Sequence, residues 1–143
     1  MFCMSVIEQI TLECQKRGIR FTEDRRVVFE IICGSKVPLK AYDILEELKR
    51  VKKNAEPPTV YRALEFLEKN GFVHKVNILN SYFACSHFAD QHACQLFICT
   101  KCQTAQEFCN ANIASELKER AQKNNFQTQK ISVEILGICK NCQ

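Results

Sequence analysis

Two short stretches, FICTKC at Phe97–Cys102 and GICKNC at Gly137–Cys142, repeat one apolar-Cys-x-x-Cys pattern. A tight turn inside each brings both thiols to one side, spaced as two corners of a zinc tetrahedron. Two such pairs close the figure. Cys99, Cys102, Cys139 and Cys142 therefore read as four thiolate ligands to one structural Zn²⁺, with no open position for catalysis. Four thiolates leave such a site doubly negative, a charge that Lys101 and Lys140, one inside each turn, would soften. The competing readings are two disulfides or a thioredoxin-like redox pair. Disulfides suit a secreted chain, yet the start, MFCMSVIEQITLECQKRG, reads as an amphipathic helix and not as a signal peptide. The redox pair calls for a βαβ setting that the pattern here does not offer.

A second group of metal-capable residues lies upstream. All three histidines, His74, His87 and His92, precede the first Cys pair, and Cys85, Asp90, Cys94 and Glu107 are near them in sequence. His74 interrupts an otherwise apolar run, FVHKV, and on spacing alone a lone strand histidine is more often a surface or core residue than a ligand. Cys85, Cys94 and Cys109 are also the thiols that a redox switch would use.

These residues need elements to hold them. Up to about residue 70 the period is helical: SVIEQITLECQKRG aligns Val6, Ile10 and Cys14 and stops at Gly18. FTEDRRVVFEIICGS offers Thr22 as N-cap, then Val27, Val28, Ile31 and Ile32, with Gly34 at its end. KAYDILEELKRVKK puts Ile44, Leu45, Leu48 and Val51 on a face, and PPTVYRALEFLEKNG turns Val60, Leu64 and Leu67 inward before a Gly71 cap. FVHKV and SYFAC around NILN then read as a hairpin. Helices followed by a hairpin match a winged helix-turn-helix, whose last helix enters the major groove. The remainder reads β-β-α-β: LFICTKC, TAQEFC, a helix with Ile113, Leu117 and Ala121 on one side, and a half-buried strand alternating Ile131, Val133, Ile135. The fold expected is α+β, with a winged-helix domain over 1–76, a hinge over 77–95 and a small α/β domain over 96–143. Thr59, Tyr61 and Arg62 open the fourth helix, where base and phosphate contacts are usual, although on sequence alone a solvated helix start is the better reading; Lys16, Arg17, Arg20, Arg25 and Arg26 could meet phosphates or solvate their helices.

Composition sets the outer bounds. Hydrophobic residues are 46% and charged residues 25%, ordinary values for a globular chain, and the net charge of +4 is too mild to identify a nucleic-acid partner. No apolar run approaches the ~20 residues that span a bilayer, so no membrane partner and a cytoplasmic location are expected. Ten cysteines in such a chain point to metal ligation or reactive thiols, with Cys3, Cys14 and Cys33 as small hydrophobes within helices.

PPTVYRALEFLEKNGFVHKV, then NSYFAC, His92, LFICTKC, Glu107-Phe108 and a terminal GICKNC, together resemble the ferric uptake regulator superfamily, within it the zinc uptake regulator branch. The resemblance runs from RFTEDRRVVFEII to the last knuckle cysteine, nearly the whole chain. It implies a homodimer with an N-terminal winged-helix DNA-binding domain, a C-terminal α/β dimerisation domain, and two Zn²⁺ per chain. One is structural; the other is regulatory, with His74, Cys85, His92 and Glu107 carried over by motif as its ligands. Two imidazoles, a thiolate and a carboxylate neutralise Zn²⁺, and the thiolate favours zinc over Fe²⁺ or Mn²⁺. The histidine-rich run of the iron-sensing branch is replaced here by ACQLF; His87, Asp90 and Cys94 stay as alternate ligands. The resemblance also makes Tyr42 and Arg62 the DNA contacts to name. The function implied is a zinc-responsive repressor of metal-uptake genes that binds double-stranded operator DNA, its affinity raised when metal fixes the wing to the dimer core. An iron, manganese or peroxide sensor and a thiol redox switch are the alternatives. An enzyme with a small-molecule substrate is not expected, for no oxyanion-hole motif or nucleophile-and-base signature is present.

Overall fold

Helix α1 (Phe2–Arg17) sends Val6, Ile10 and Cys14 into a core, one residue per turn. It stops at Gly18, whose φ of +66° lets the Ile19 N–H reach back to the Cys14 carbonyl at 3.0 Å. Helix α2 (Glu23–Cys33) starts where the Thr22 hydroxyl accepts the Arg25 N–H at 3.4 Å, with Glu23 and Asp24 favouring the positive end of the helix dipole. It buries Val28, Phe29 and Ile32, and Phe29 is a core residue that the apolar spacing did not single out. Helix α3 (Ala41–Val51) buries Ile44, Leu45 and Leu48. Val51, expected on that face, is 72% exposed because the helix ends there.

Helix α4 (Pro57–Lys69) begins with two prolines, tolerated in a first turn whose N–H groups have no intrahelical partner. Val60, Ala63, Leu64 and Leu67 face inward. Asn70 is the cap itself, and Gly71 follows at φ +77°, allowing the Phe72 N–H to bond the Leu67 carbonyl at 2.8 Å. Strands β1 (Val73–Val76) and β2 (Ser81–Ala84) then pair antiparallel, with His74 opposite Phe83. Leu39 joins this ladder through two backbone hydrogen bonds with Tyr82, of 2.9 and 2.8 Å, and so ties the approach to α3 to the hairpin.

The computed structural model describes residues 2–88 and 94–143, and the chain divides into two units, Met1–Ala89 and Asp90–Gln143. The first unit holds α1 to α4 and the hairpin, a winged helix-turn-helix. The second holds β3 (Cys94–Cys99), β4 (Ala105–Cys109), α5 (Ala111–Lys123) and β5 (Val133–Gly137), with strand order β4-β3-β5. β3 runs antiparallel to β4 and parallel to β5. The expected half-burial of Ile135 is not met: it is 45% exposed. Strand register explains this, since Phe97 pairs with Ile135 and Gln95 with Phe108, which sets Phe97, Phe108 and Ile135 on one open face. Leu96 and Ile98, on the opposite face, are buried. Helix α5 has no buried residue, its apolar Leu117 included.

Candidate metal centres and nucleic-acid interface

Parallel pairing of β3 with β5 puts Cys99 beside Gly137, so both Cys-x-x-Cys turns leave the sheet at the same end. In the first turn the Gln103 N–H donates to the Cys99 carbonyl at 2.9 Å, with Gln103 in the left-handed region at φ +60°. In the second a short 3₁₀ turn, Lys140–Cys142, closes with the Cys142 N–H donating to the Cys139 carbonyl at 3.0 Å. The four sulfurs of Cys99, Cys102, Cys139 and Cys142 lie within 4.8 Å of one another. Cys102 and Cys139 are 3.7 Å apart. A tetrahedron with Zn–S bonds of about 2.3 Å has edges of roughly 3.8 Å, so the spacing fits a single zinc ion.

The backbone prepares these thiols for metal. N–H groups of Cys102 and Cys139 lower the Cys99 thiol to about 6. The Thr104 hydroxyl, 3.0 Å from the Cys102 sulfur, lowers that thiol too. Hydrogen bonding to Cys139 and Cys102 raises Cys142 to about 12, so a proton that metal must displace sits there. Lys101 Nζ donates to the Cys142 carbonyl at 3.1 Å and brings its charge to the cluster, as its place in the turn suggested. Thr104 is the participant that spacing did not reveal; as a hydroxyl two residues after a knuckle cysteine, it carries no pattern of its own.

His74 and Cys85 form a second pair, within the first unit. Cys85 is buried directly after β2, its N–H bonded to the Phe72 carbonyl at 2.9 Å. The ligand atoms of Cys85 and half-buried His74 lie within 4.8 Å. The His74 ring packs on Phe83, centroids 5.4 Å apart, and the His87 N–H donates to the Cys85 sulfur at 3.3 Å. Glu107 belongs to the second unit, on β4, where its carboxylate accepts the Cys94 thiol hydrogen at 3.2 Å. His92 and Asp90 lie outside the described residues.

The residues named for DNA group at the start of α3 and α4. Tyr42 and Tyr61, 70% and 58% exposed, line one shallow groove with Ala41, Leu45, Pro57 and Val60. Arg62 is exposed and Thr59 half-buried on the same first turns of α4. Three of the upstream arginines are engaged within the chain. Arg17 bonds the Asn70 and Phe88 carbonyls at 2.8 and 3.0 Å and lies over the Phe72 ring. Arg25 stacks on Phe66 at 3.8 Å, and Arg26 pairs with Glu30 at 2.6 Å.

Comparison with known proteins gives a consistent set of relatives. The model of the ferric uptake regulator family matches residues 16–136. The chain is 37% identical over 131 residues to the zinc uptake regulation protein of Escherichia coli strain K12, covering 90% of this chain and 76% of that protein. A solved zinc uptake regulator complexed with zinc and DNA matches with TM-score 0.95 at 34% identity, covering 99% of this chain and 95% of that one. The crystal structure of holo XcZur matches with TM-score 0.89 at 38% identity, covering 96% of each chain.

Proposed function

Since the chain belongs to the ferric uptake regulator family, we propose that it is a zinc-responsive transcriptional repressor controlling metal-uptake genes. It binds double-stranded operator DNA as a homodimer. The observation that carries the metal choice is buried Cys85 beside His74 at the wing. A thiolate there selects a soft or borderline ion, whereas an iron or manganese sensor of the same family would favour nitrogen and oxygen donors. Similarity to zinc uptake regulators, in sequence and in structure, supports the same choice.

We assign two zinc ions per chain. Cys99, Cys102, Cys139 and Cys142 hold the structural one, a closed set fitted by the 3.7 Å sulfur spacing. His74, Cys85, His92 and Glu107 hold the regulatory one; His92 and Glu107 enter on the family motif, with His87, Asp90 and Cys94 as substitutes. Zinc supplies charge neutralisation and a tie between residues distant in sequence. We assign DNA binding to the unit that carries α1 to α4 and the hairpin through β2, and dimerisation to the unit that begins with β3, in place of the expected boundaries at 76 and 96. Ligands drawn from wing, hinge and dimer core make DNA affinity depend on metal, and by linkage operator DNA tightens zinc binding. Tyr42, Thr59, Tyr61 and Arg62 present the DNA surface, Arg62 as the base reader. The open face of Phe97, Phe108 and Ile135 suits a second copy of the chain. A repressor of this kind works in the cytoplasm.

Metal analysis of purified protein before and after a mild chelator tests the assignment. Two zinc ions per chain should fall to one. Complete loss of zinc, or iron in place of the labile ion, would contradict it.

A further inference from the structure

Cys94 and Cys109 are the first residue of β3 and the last of β4, and the antiparallel register sets them directly opposite. Their sulfurs are 2.8 Å apart. That distance is too short for an edge of a zinc tetrahedron, roughly 3.8 Å with Zn–S bonds of about 2.3 Å. The knuckle cysteines, with a 3.7 Å spacing between Cys102 and Cys139, meet that requirement. Cys94 and Cys109 instead approach the bonded distance of a disulfide, about 2.05 Å. Both are reduced here, Cys109 is exposed and Cys94 half-buried.

We propose that Cys94 and Cys109 form an oxidation site: hydrogen peroxide converts the pair to a cross-strand disulfide within one chain. The exposed Cys109 sulfur attacks the peroxide, the O–O bond breaks, and water leaves with Cys109 as a sulfenic acid. The Cys94 sulfur then attacks Cys109, the S–O bond breaks, and a second water leaves. Two thiols and one peroxide give one disulfide and two waters, a two-electron oxidation. The register already holds the resolving sulfur in place, so condensation outpaces further oxidation of Cys109.

The same step removes a contact. The Cys94 thiol donates its hydrogen to Glu107 Oε2 at 3.2 Å, and a disulfide has no hydrogen to donate. Resting on the assignment of Glu107 to the regulatory ion, the disulfide should weaken that ion about 10-fold, the scale on which a ligand's outer hydrogen-bond partners act.

The test is limited hydrogen peroxide on zinc-loaded protein, then alkylation and tandem mass spectrometry of unreduced peptides. The expected product has lost two hydrogens and links Cys94 to Cys109, reversibly with a dithiol reductant. In Cys94→Ser, Cys109 should run on to the sulfinic acid. Cys109 left as a thiol in the parent, over-oxidised without a link, or joined to a different cysteine would overturn the proposal. Zinc titration of the oxidised parent reads the second part, which unchanged affinity for the labile ion would overturn. Failure of the zinc-sensor reading looks different: the reduced parent would then show no zinc-dependent DNA binding at all.

Discussion

At Cys99 two backbone N–H groups do what a single thiol cannot: they lower it to about 6 before any metal arrives. The remaining ligands act with it as one set, since Cys102 and Cys139 are held 3.7 Å apart by turns that begin at paired strand ends. Removing one sulfur leaves three thiolates without closure, and the binding free energy of a structural site is folding free energy. Cys102→Ser or Cys139→Ser should therefore lose the chelator-resistant zinc and the dimer together, read by metal analysis and sedimentation. A stable dimer that has lost a knuckle sulfur would dismiss the four-cysteine assignment. Arg62 stands at the other functional surface. Its exposed guanidinium suits guanine edges, so Arg62→Ala should cost about 1–3 kcal/mol at the operator and far less on random DNA. Equal weakening on both would make it a phosphate contact. The four cysteines were legible because each pair is local and the pattern repeats. Thr104 was not, because a hydroxyl two residues after a knuckle cysteine carries no pattern of its own, and the Cys94–Cys109 pairing was not, because strand register decides it.

Helix ends show how element and sequence agree, and where they part. Gly71 follows the α4 cap at φ +77°, with nothing within 4 Å of where a Cβ would stand. The cost of a side chain there is conformational alone, so Gly71→Ala should destabilise the first unit by about 1–2 kcal/mol in urea unfolding. A loss near zero would mean that the left-handed turn is not required. The helices themselves could be read from apolar spacing because each places one face in a core, as Val60, Leu64 and Leu67 do. Val51 misled because spacing does not say where a helix stops. The Leu39–Tyr82 bridge joins residues far apart in sequence, and no local pattern announces it. For Arg17 and Arg25 the sequence shows only a charge, open to phosphate or to solvent; their carbonyl and ring partners are not visible in it.

At the scale of the molecule, the second unit leaves a sheet face open. Phe97, Phe108 and Ile135 are each exposed by about two fifths or more, and no residue of α5 is fully buried. This is why Ile135 failed its expected half-burial: alternation predicts which side a residue faces, not which chain covers it. Ile135→Glu should leave each chain folded with its structural zinc and shift the dimer toward monomer, read by sedimentation. A dimer of undiminished strength would move the interface elsewhere.

Whether metal at the wing sets DNA affinity is tested most directly by operator titration at buffered free zinc with salt held constant. Parent and Cys85→Ser are compared, because Cys85 lies outside the knuckle and the variant should keep its fold, its dimer and one zinc. The parent should bind operator DNA tightly only when free zinc is raised, while Cys85→Ser should bind like the metal-free parent at moderate zinc. Full zinc-dependent binding by Cys85→Ser would place the regulatory ligands elsewhere, and a parent indifferent to zinc would contradict the sensor itself.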